Sequence, residues 1–467
     1  MSDNITARVS RFVAETTLAD VPADVVTIAK HSILDGFGLA VAGSRSHAAQ
    51  IARQEVLSYR CAATEATVLG TSVRLPSRFA AFLNGLAIHA DDYDDTQLAT
   101  LPDRVYGLLT HPTAPVLPAV LALAERLQRS GSDALLAYLV GTETESKIAE
   151  AIDPRHYDAG FHSTATAGSI GAAAAASRML ALAADDTAAA LGVAASSAGG
   201  LRENFGTMTK PFHAGRAAEN GVLAAQLVVK GFTATHTVLE SPRGYFSAAG
   251  GGYDAATMEH LGDPWTFASP GVSIKPYPSG SLTHPAMTTM IDLIRTNSIT
   301  AGDVELVTVG TNRHMPNALI HHRPKDHLAA KFSMEFCMAI LLLEGRAGLQ
   351  EFTDEVVRRP DVQAMIERVR FEVDPEAENA GYNTMTSIVR VHLRDGRMVE
   401  GRAAFGKGSP ANPMTDAELQ EKFLGCLDAG GVDAQTGERA ADLILDIENQ
   451  PNVDAIMALL ASGRNGM

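Results

Sequence analysis

Between residues 166 and 182 nearly every side chain belongs to Ala, Gly or Ser, with a few larger apolar residues between them. The stretch 188–199 is built the same way. Small side chains let helix axes approach closely, so both stretches are predicted as central helices packed on every side. The recurring larger residues argue against low complexity. Apolar positions at helical spacing predict further helices over 5–16, 25–41, 115–127 and 134–152, with Gly43 as a stop. The pattern changes after about residue 267. Residues 304–310 and 386–393 read as strands, and Asp395-Gly396 leading into 398–404 reads as a hairpin. Between them 328–343 reads as a buried helix, and 407–413 as a loop. Helices return from Thr415, which is placed with Asp416 to cap the first. The predicted fold is mainly α with an α+β part. A large all-α helical domain (1–267 and 408–467) carries a smaller inserted α+β domain (268–407), and a cleft between them is the natural ligand site.

Four carboxylates crowd into five residues at Asp91-Asp92-Tyr93-Asp94-Asp95, directly after an apolar run. Such groups repel one another, and burial opposes ionising them all. The cluster therefore needs solvent, a cation or chemical work. If the preceding helix continues, His89, Asp92 and Thr96 share one face by their spacing of three and four. Asp91, Asp94 and Asp95 then point elsewhere, as helix-end or solvent-facing groups.

A net charge of −16 disfavours nucleic acid, whose phosphates demand a basic surface. Cys61, Cys337 and Cys426 form no CxxC pair, which argues against a zinc site or a disulfide scaffold and for a reducing compartment. No secretory signal and no uninterrupted apolar run of membrane-spanning length is visible, so a cytoplasmic location without membrane attachment is expected. The histidines at 314, 321, 322 and 327 lack metal-ligand spacing, and Gly250-Gly251-Gly252 lacks a dinucleotide-binding context.

The chain has nine lysines, so those beside prolines stand out. Lys210-Pro211-Phe212-His213-Ala214-Gly215 precedes an Ala-rich helix. Lys275-Pro276-Tyr277-Pro278-Ser279 lies at the predicted domain junction. A lysine held by a stiff backbone suits carboxylate binding and charge stabilisation. His111-Pro112 sits on a loop entering the next helix. His162 lies just before the small-residue helix, whose first N–H groups favour an anion. Either histidine could instead bond backbone or cap a helix.

Taken in order, His89-Ala90-Asp91-Asp92-Tyr93-Asp94-Asp95-Thr96, His111-Pro112, Gly160-Phe161-His162 with Thr164, the Lys210 segment, and the Lys275 segment with Thr283-His284-Pro285 resemble the MmgE/PrpD family over about residues 5–460. That family includes 2-methylcitrate dehydratase, cis-aconitate decarboxylase and iminodisuccinate epimerase. The resemblance implies a helical domain with an α+β lid, a homodimer, a small anionic carboxylate substrate, and neither metal nor organic cofactor. It places catalytic groups at Asp92, His111, His162, Lys210 and Lys275, and substrate-binding groups at Thr96, Arg104, His213, Tyr277 and Ser279. Lysines would offset charge on an enediolate-like species, and a histidine would move the proton. Which histidine is acid and which is base stays open. A hydro-lyase resembling 2-methylcitrate dehydratase is the first expectation, with an epimerase or decarboxylase as alternatives.

Two departures affect the decarboxylase alternative. Residues 97–110, including Arg104 and Tyr106, make a longer connection than the decarboxylase pattern has. Phe336 stands where that pattern carries a tyrosine, so a hydroxyl is expected to be missing. Two rival readings come from other classes. The acid run fits the DDxxD pattern of magnesium-dependent terpene and prenyl-diphosphate synthases, but a second metal motif and a rich aromatic content are lacking. A non-catalytic binding protein would not need both lysines and both histidines.

Overall fold

In the computed structural model, which describes residues 4–97, 110–152 and 154–461, the chain is mainly helical with an α+β part. Two apolar cores organise it. The first is built from residues between Ile5 and Val272 and again from Leu419 to Leu460. The second runs from Leu282 to Leu393.

The small-residue stretches are helices Ser163–Met179 and Ala184–Ser197, and the former is buried along almost its whole length. Helix Ser77–His89 crosses helix Thr209–Val229 at Gly85 and Gly215. A Cβ on Gly215 would lie 2.4 Å from the Phe82 carbonyl oxygen, so only glycine permits this approach. The crossing matters because it brings the end of one helix, His89, to the start of the other, Lys210.

The second core backs a mixed sheet with strand order Val369–Val373, Val304–Thr311, Ser387–Leu393, Met398–Ala403. The first pair is parallel and the other two are antiparallel. The hairpin and the central strand lie where the sequence pattern puts them. Val369–Val373 escapes that pattern, because it is a short edge strand with one buried residue. The helix expected over 328–343 is interrupted: His327–Ala330 ends at Lys331, and Ser333 caps a new helix, Met334–Glu344, by accepting from the Phe336 N–H. Helix Asp416–Ala429 returns to the first core behind a Thr415–Glu418 capping box.

Among the described residues one helix, Ala23–Gly43, is long and apolar enough to cross a membrane by length and composition. Its apolar length is spent on the first core, where most of it is buried. Cys61, Cys337 and Cys426 are all unpaired.

Candidate active site

The acid run does not continue the helix. Ser77–His89 ends at His89, and Asp92 takes a left-handed conformation at φ 50°, which aspartate tolerates better than most residues. The chain then passes into a short strand, Thr96–Gln97, paired antiparallel with Val272–Ser273. The shared helical face expected for His89, Asp92 and Thr96 is therefore absent, and the turn sends the four carboxylates to four different sets of partners.

Asp92 meets both lysines, with Oδ1 2.5 Å from Lys210 Nζ and 3.1 Å from Lys275 Nζ. Lys275 also donates to the Asp92 carbonyl at 2.9 Å. Asp94 and Asp95, expected to face solvent, are 0% and 1% exposed. Asp94 Oδ2 accepts from His89 Nδ1 at 2.8 Å, and its Oδ1 lies 3.6 Å from His111 Nδ1. Asp95 accepts from the Thr113 N–H and hydroxyl, capping the next helix from within the core. Asp91 is half-buried and pairs with Lys331 at 2.9 Å. The physical reason for the correction is that buried donors, not water, compensate these charges.

Four lysines hold this loop: Lys210 and Lys275 at Asp92, Lys331 at the Ala90 carbonyl and Asp91, and Lys422 at the Tyr93 carbonyl. Lys422 also pairs with the buried Asp35 at 2.6 Å. Lys331 and Lys422 have no recognisable local motif. The scarcity of lysine is the one sequence signal that could have drawn attention to them.

Asp92, Thr96, His111, His162, Lys210 and Lys275 line one cavity of about 520 Å³, its mouth included. Phe205 and Phe332 stack at 5.9 Å and form an apolar wall, to which the second core adds Leu282 and Leu319. Thr96 Oγ1 lies 3.0 Å from Ser281 Oγ, joining the two sides. Residue Arg104 and the remainder of 98–109 lie outside the described residues. His213 sits behind His162, not on the cavity wall. Tyr277 and Ser279 are placed elsewhere. The Tyr277 ring packs edge-on to His284 beside the second core and faces a different groove. Ser279 Oγ is consumed by Thr283 and Met287. Phe336 is buried in the second core against Phe352, outside the cavity lining.

Burial shifts the ionisable groups of the site. Burial pushes His111 and His162 well below the usual histidine range and also lowers His89, so all three are neutral at pH 7. Burial lowers Lys210 as well, with Asp92 opposing. Burial alone would raise Asp92, but Lys210 and Lys275 outweigh it and hold its carboxyl well below the usual range. Burial raises Asp95 to about 7.

Hydrogen-bond partners assign two tautomers. His111 Nδ1 lies 2.9 Å from the Asp95 carbonyl oxygen, which can only accept. Its proton is therefore on Nδ1, and Nε2 carries the lone pair. His89 donates from Nδ1 to Asp94, so its Nε2 accepts from Lys210 at 3.0 Å. His162 is the exception: its Nδ1 faces His213, and its buried Nε2 has no partner among the described residues. Its side chain does not cap the helix it precedes.

His89, Asp92, Asp94 and His111 place one potential metal-ligand atom each within 4.8 Å of one another. Some of these donors are engaged, although Asp92 Oδ2 and Asp94 Oδ1 have no hydrogen-bond partner among the described residues. Asp92 Oδ1 lies against two ammonium groups, and His89 Nε2 faces a third contact from Lys210. A divalent ion there would meet cations at close range, so the donor set fits ammonium groups better than a metal. The loop also differs from a DDxxD site in sending its carboxylates to separate partners, Asp91 to Lys331, Asp92 to Lys210 and Lys275, Asp94 to His89 and Asp95 to Thr113. Among the described residues of the cavity wall two lysines face one aspartate, leaving a positive excess suited to an anion.

Residues 7–258 match the MmgE/PrpD N-terminal domain, and residues 277–448 match the MmgE/PrpD C-terminal domain. Cis-aconitate decarboxylase of Homo sapiens is 30% identical over 414 residues, covering 85% of this chain and 82% of that protein. Cis-aconitate decarboxylase of Aspergillus terreus is 28% identical over 484 residues, covering 98% and 96%. The cis-aconitate decarboxylase-like protein oryM of Aspergillus oryzae is 27% identical over 487 residues, covering 98% and 97%.

Proposed function

Because this chain belongs to the MmgE/PrpD family, we propose that it is a lyase that breaks a bond at the carbon α to a carboxylate of a small di- or tricarboxylate, using its own ammonium groups to stabilise the charge. The observation that carries this is the convergence of Lys210 and Lys275 on one cavity beside neutral histidines. Preorganised cations in a water-poor site stabilise an enediolate-like species without needing to reorganise.

Loss of CO2 from a substrate of the cis-aconitate type is the first reading, since relatives aligned over most of the chain carry that name. The bond from the α carbon to the departing carboxylate breaks. Its electron pair spreads into the remaining conjugated carboxylate, opposite the lysines, and a histidine N–H delivers a proton to carbon. The position of Phe336 away from the cavity lessens the weight of the missing tyrosine hydroxyl. We also take the unit built on the second core to act as a lid, since Leu282, Leu319 and Phe332 cover the far wall.

Dehydration is a second reading, favoured by one observation. His111 Nε2 carries a lone pair at the cavity, a base that decarboxylation does not require. That base would take the α proton while the departing hydroxide took a proton from a second group.

Incubation in deuterated water with cis-aconitate, 2-methylcitrate, citrate and iminodisuccinate, followed by NMR, tests the proposal. Itaconate indicates decarboxylation, a new alkene from a hydroxy acid indicates dehydration, and deuterium uptake alone indicates epimerisation. Absence of both turnover and exchange with all four would sink it.

A further inference from the structure

We infer that His213 is a positioning residue whose Nδ1–H bond holds His162 in the tautomer with its proton on Nε2, making His162 the proton donor of the site. This rests on the reading of the cavity as a carboxylate site.

His213 lies one turn after Lys210 on helix Thr209–Val229 and is 6% exposed. Its Nδ1 is 3.1 Å from His162 Nδ1. Behind it the ring rests on Gly200, where an added Cβ would come within 3.2 Å of its Cγ. His213 is therefore clamped between His162 and the backbone. Both imidazoles are neutral, because burial pushes His213 down to about 4 and His162 well down. Two facing neutral nitrogens bond only if one donates and the other accepts.

The cavity side decides which one donates. His162 Nε2 is buried, lacks a partner among the described residues, and belongs to a side chain on the cavity wall. A carboxylate only accepts hydrogen bonds. With the proton on Nε2, His162 donates to it. With the proton on Nδ1, a lone pair would face the carboxylate oxygens. The first arrangement requires His213 to donate from Nδ1 to His162 Nδ1.

His111 is set up in the opposite sense. Behind its Nδ1 stand two acceptors, the Asp95 carbonyl and Asp94 Oδ1, which leave Nε2 as an acceptor. The two cavity histidines thus differ through what stands behind them, an acceptor pair in one case and a donor in the other. The roles that sequence leaves open are thereby divided: His111 accepts a proton and His162 gives one.

The test uses the full chain labelled with 15N-histidine. Long-range proton–nitrogen NMR, with His162 assigned by its loss in H162Q, is expected to show the Nε2–H form. Finding Nδ1–H in the wild type would overturn the inference without reference to any activity. For a substrate that turns over, H213L is expected to lower kcat by about tenfold to a hundredfold with little change in KM. H213N, whose side-chain N–H can replace the Nδ1–H, is expected to recover most of that loss. An H213L enzyme with wild-type kcat would also overturn it. Should no carboxylate turn over, the reading of the cavity fails, while the NMR result still decides the tautomer.

Discussion

Lys331 Nζ lies 2.9 Å from Asp91 Oδ1 across 240 positions of sequence, joining the segment that precedes helix Met334–Glu344 to the acid loop. It also donates to the Ala90 carbonyl at 3.1 Å and is 2% exposed. The loop that carries Asp92 is therefore held partly from the side of the second core.

Replacing Lys331 with Met should loosen that hold without touching the cavity wall. Losing the buried bonds should cost about 1–3 kcal/mol in urea unfolding. Catalytic efficiency should fall by about tenfold through misplacement of Asp92. Unchanged kinetics would mean that the other three lysines position the loop unaided.

Lys210→Met and Lys275→Met each leave Asp92 with one ammonium partner. Each variant should keep its circular dichroism spectrum and lose about a hundredfold to a thousandfold in kcat. The double variant leaves a buried carboxylate unpaired and should lose a further ~3–5 kcal/mol of stability. Full turnover in either single variant would contradict the proposed charge stabilisation.

Asp94→Asn keeps the shape of the group that His89 and His111 face but removes its charge. An asparagine can also offer its amide instead of its oxygen, which permits the wrong histidine tautomers. A fall in kcat of about a hundredfold with nearly constant KM is expected in steady-state assays. A change below twofold would show that Asp94 does not orient the pair.

Asp95 makes folding pH-dependent in a definite direction. Burial raises its folded value to about 7 from an ordinary 3.8, so the folded chain binds a proton that the unfolded chain has released. Its stabilisation is present below pH 4 and is lost as pH rises towards 7, by at most a few kcal/mol. The lowered histidines act oppositely, losing stability as pH falls below about 6.5. Asp95→Asn should remove only the first contribution. The melting temperature of the variant relative to wild type should therefore climb between pH 4 and pH 7, and a flat difference would refute the assignment.

The groups nearest the cavity were legible because their neighbours in sequence constrain them. Lys210 starts a helix, Lys275 sits in a proline-stiffened segment, and His111 and His162 immediately precede helices. The acid run was misread where helical spacing was extended past its end. Asp92 turns left-handed, and its neighbours find partners such as Thr113 and Lys331 that no local pattern reveals. Tyr277 and Ser279 lie off the cavity for a related reason, since proximity to Lys275 along the chain says nothing about which core a side chain joins. The central helices were readable because Ala and Gly are economical only where packing is closest, as the Gly85–Gly215 crossing illustrates.

Lys422 binds the Tyr93 carbonyl at 2.8 Å from a position 329 residues further along the chain. Synthesis proceeds from the N-terminus, and early segments begin to fold first. The acid loop and Asp35 thus leave the ribosome long before the ammonium group that compensates them. Nascent chains that stop short of Asp416–Ala429 contain both histidines, Asp92, Lys210 and Lys275, yet lack this contact. The full set of contacts that hold the acid loop is accordingly a late event in the life of the chain, complete only once helix Asp416–Ala429 has been made.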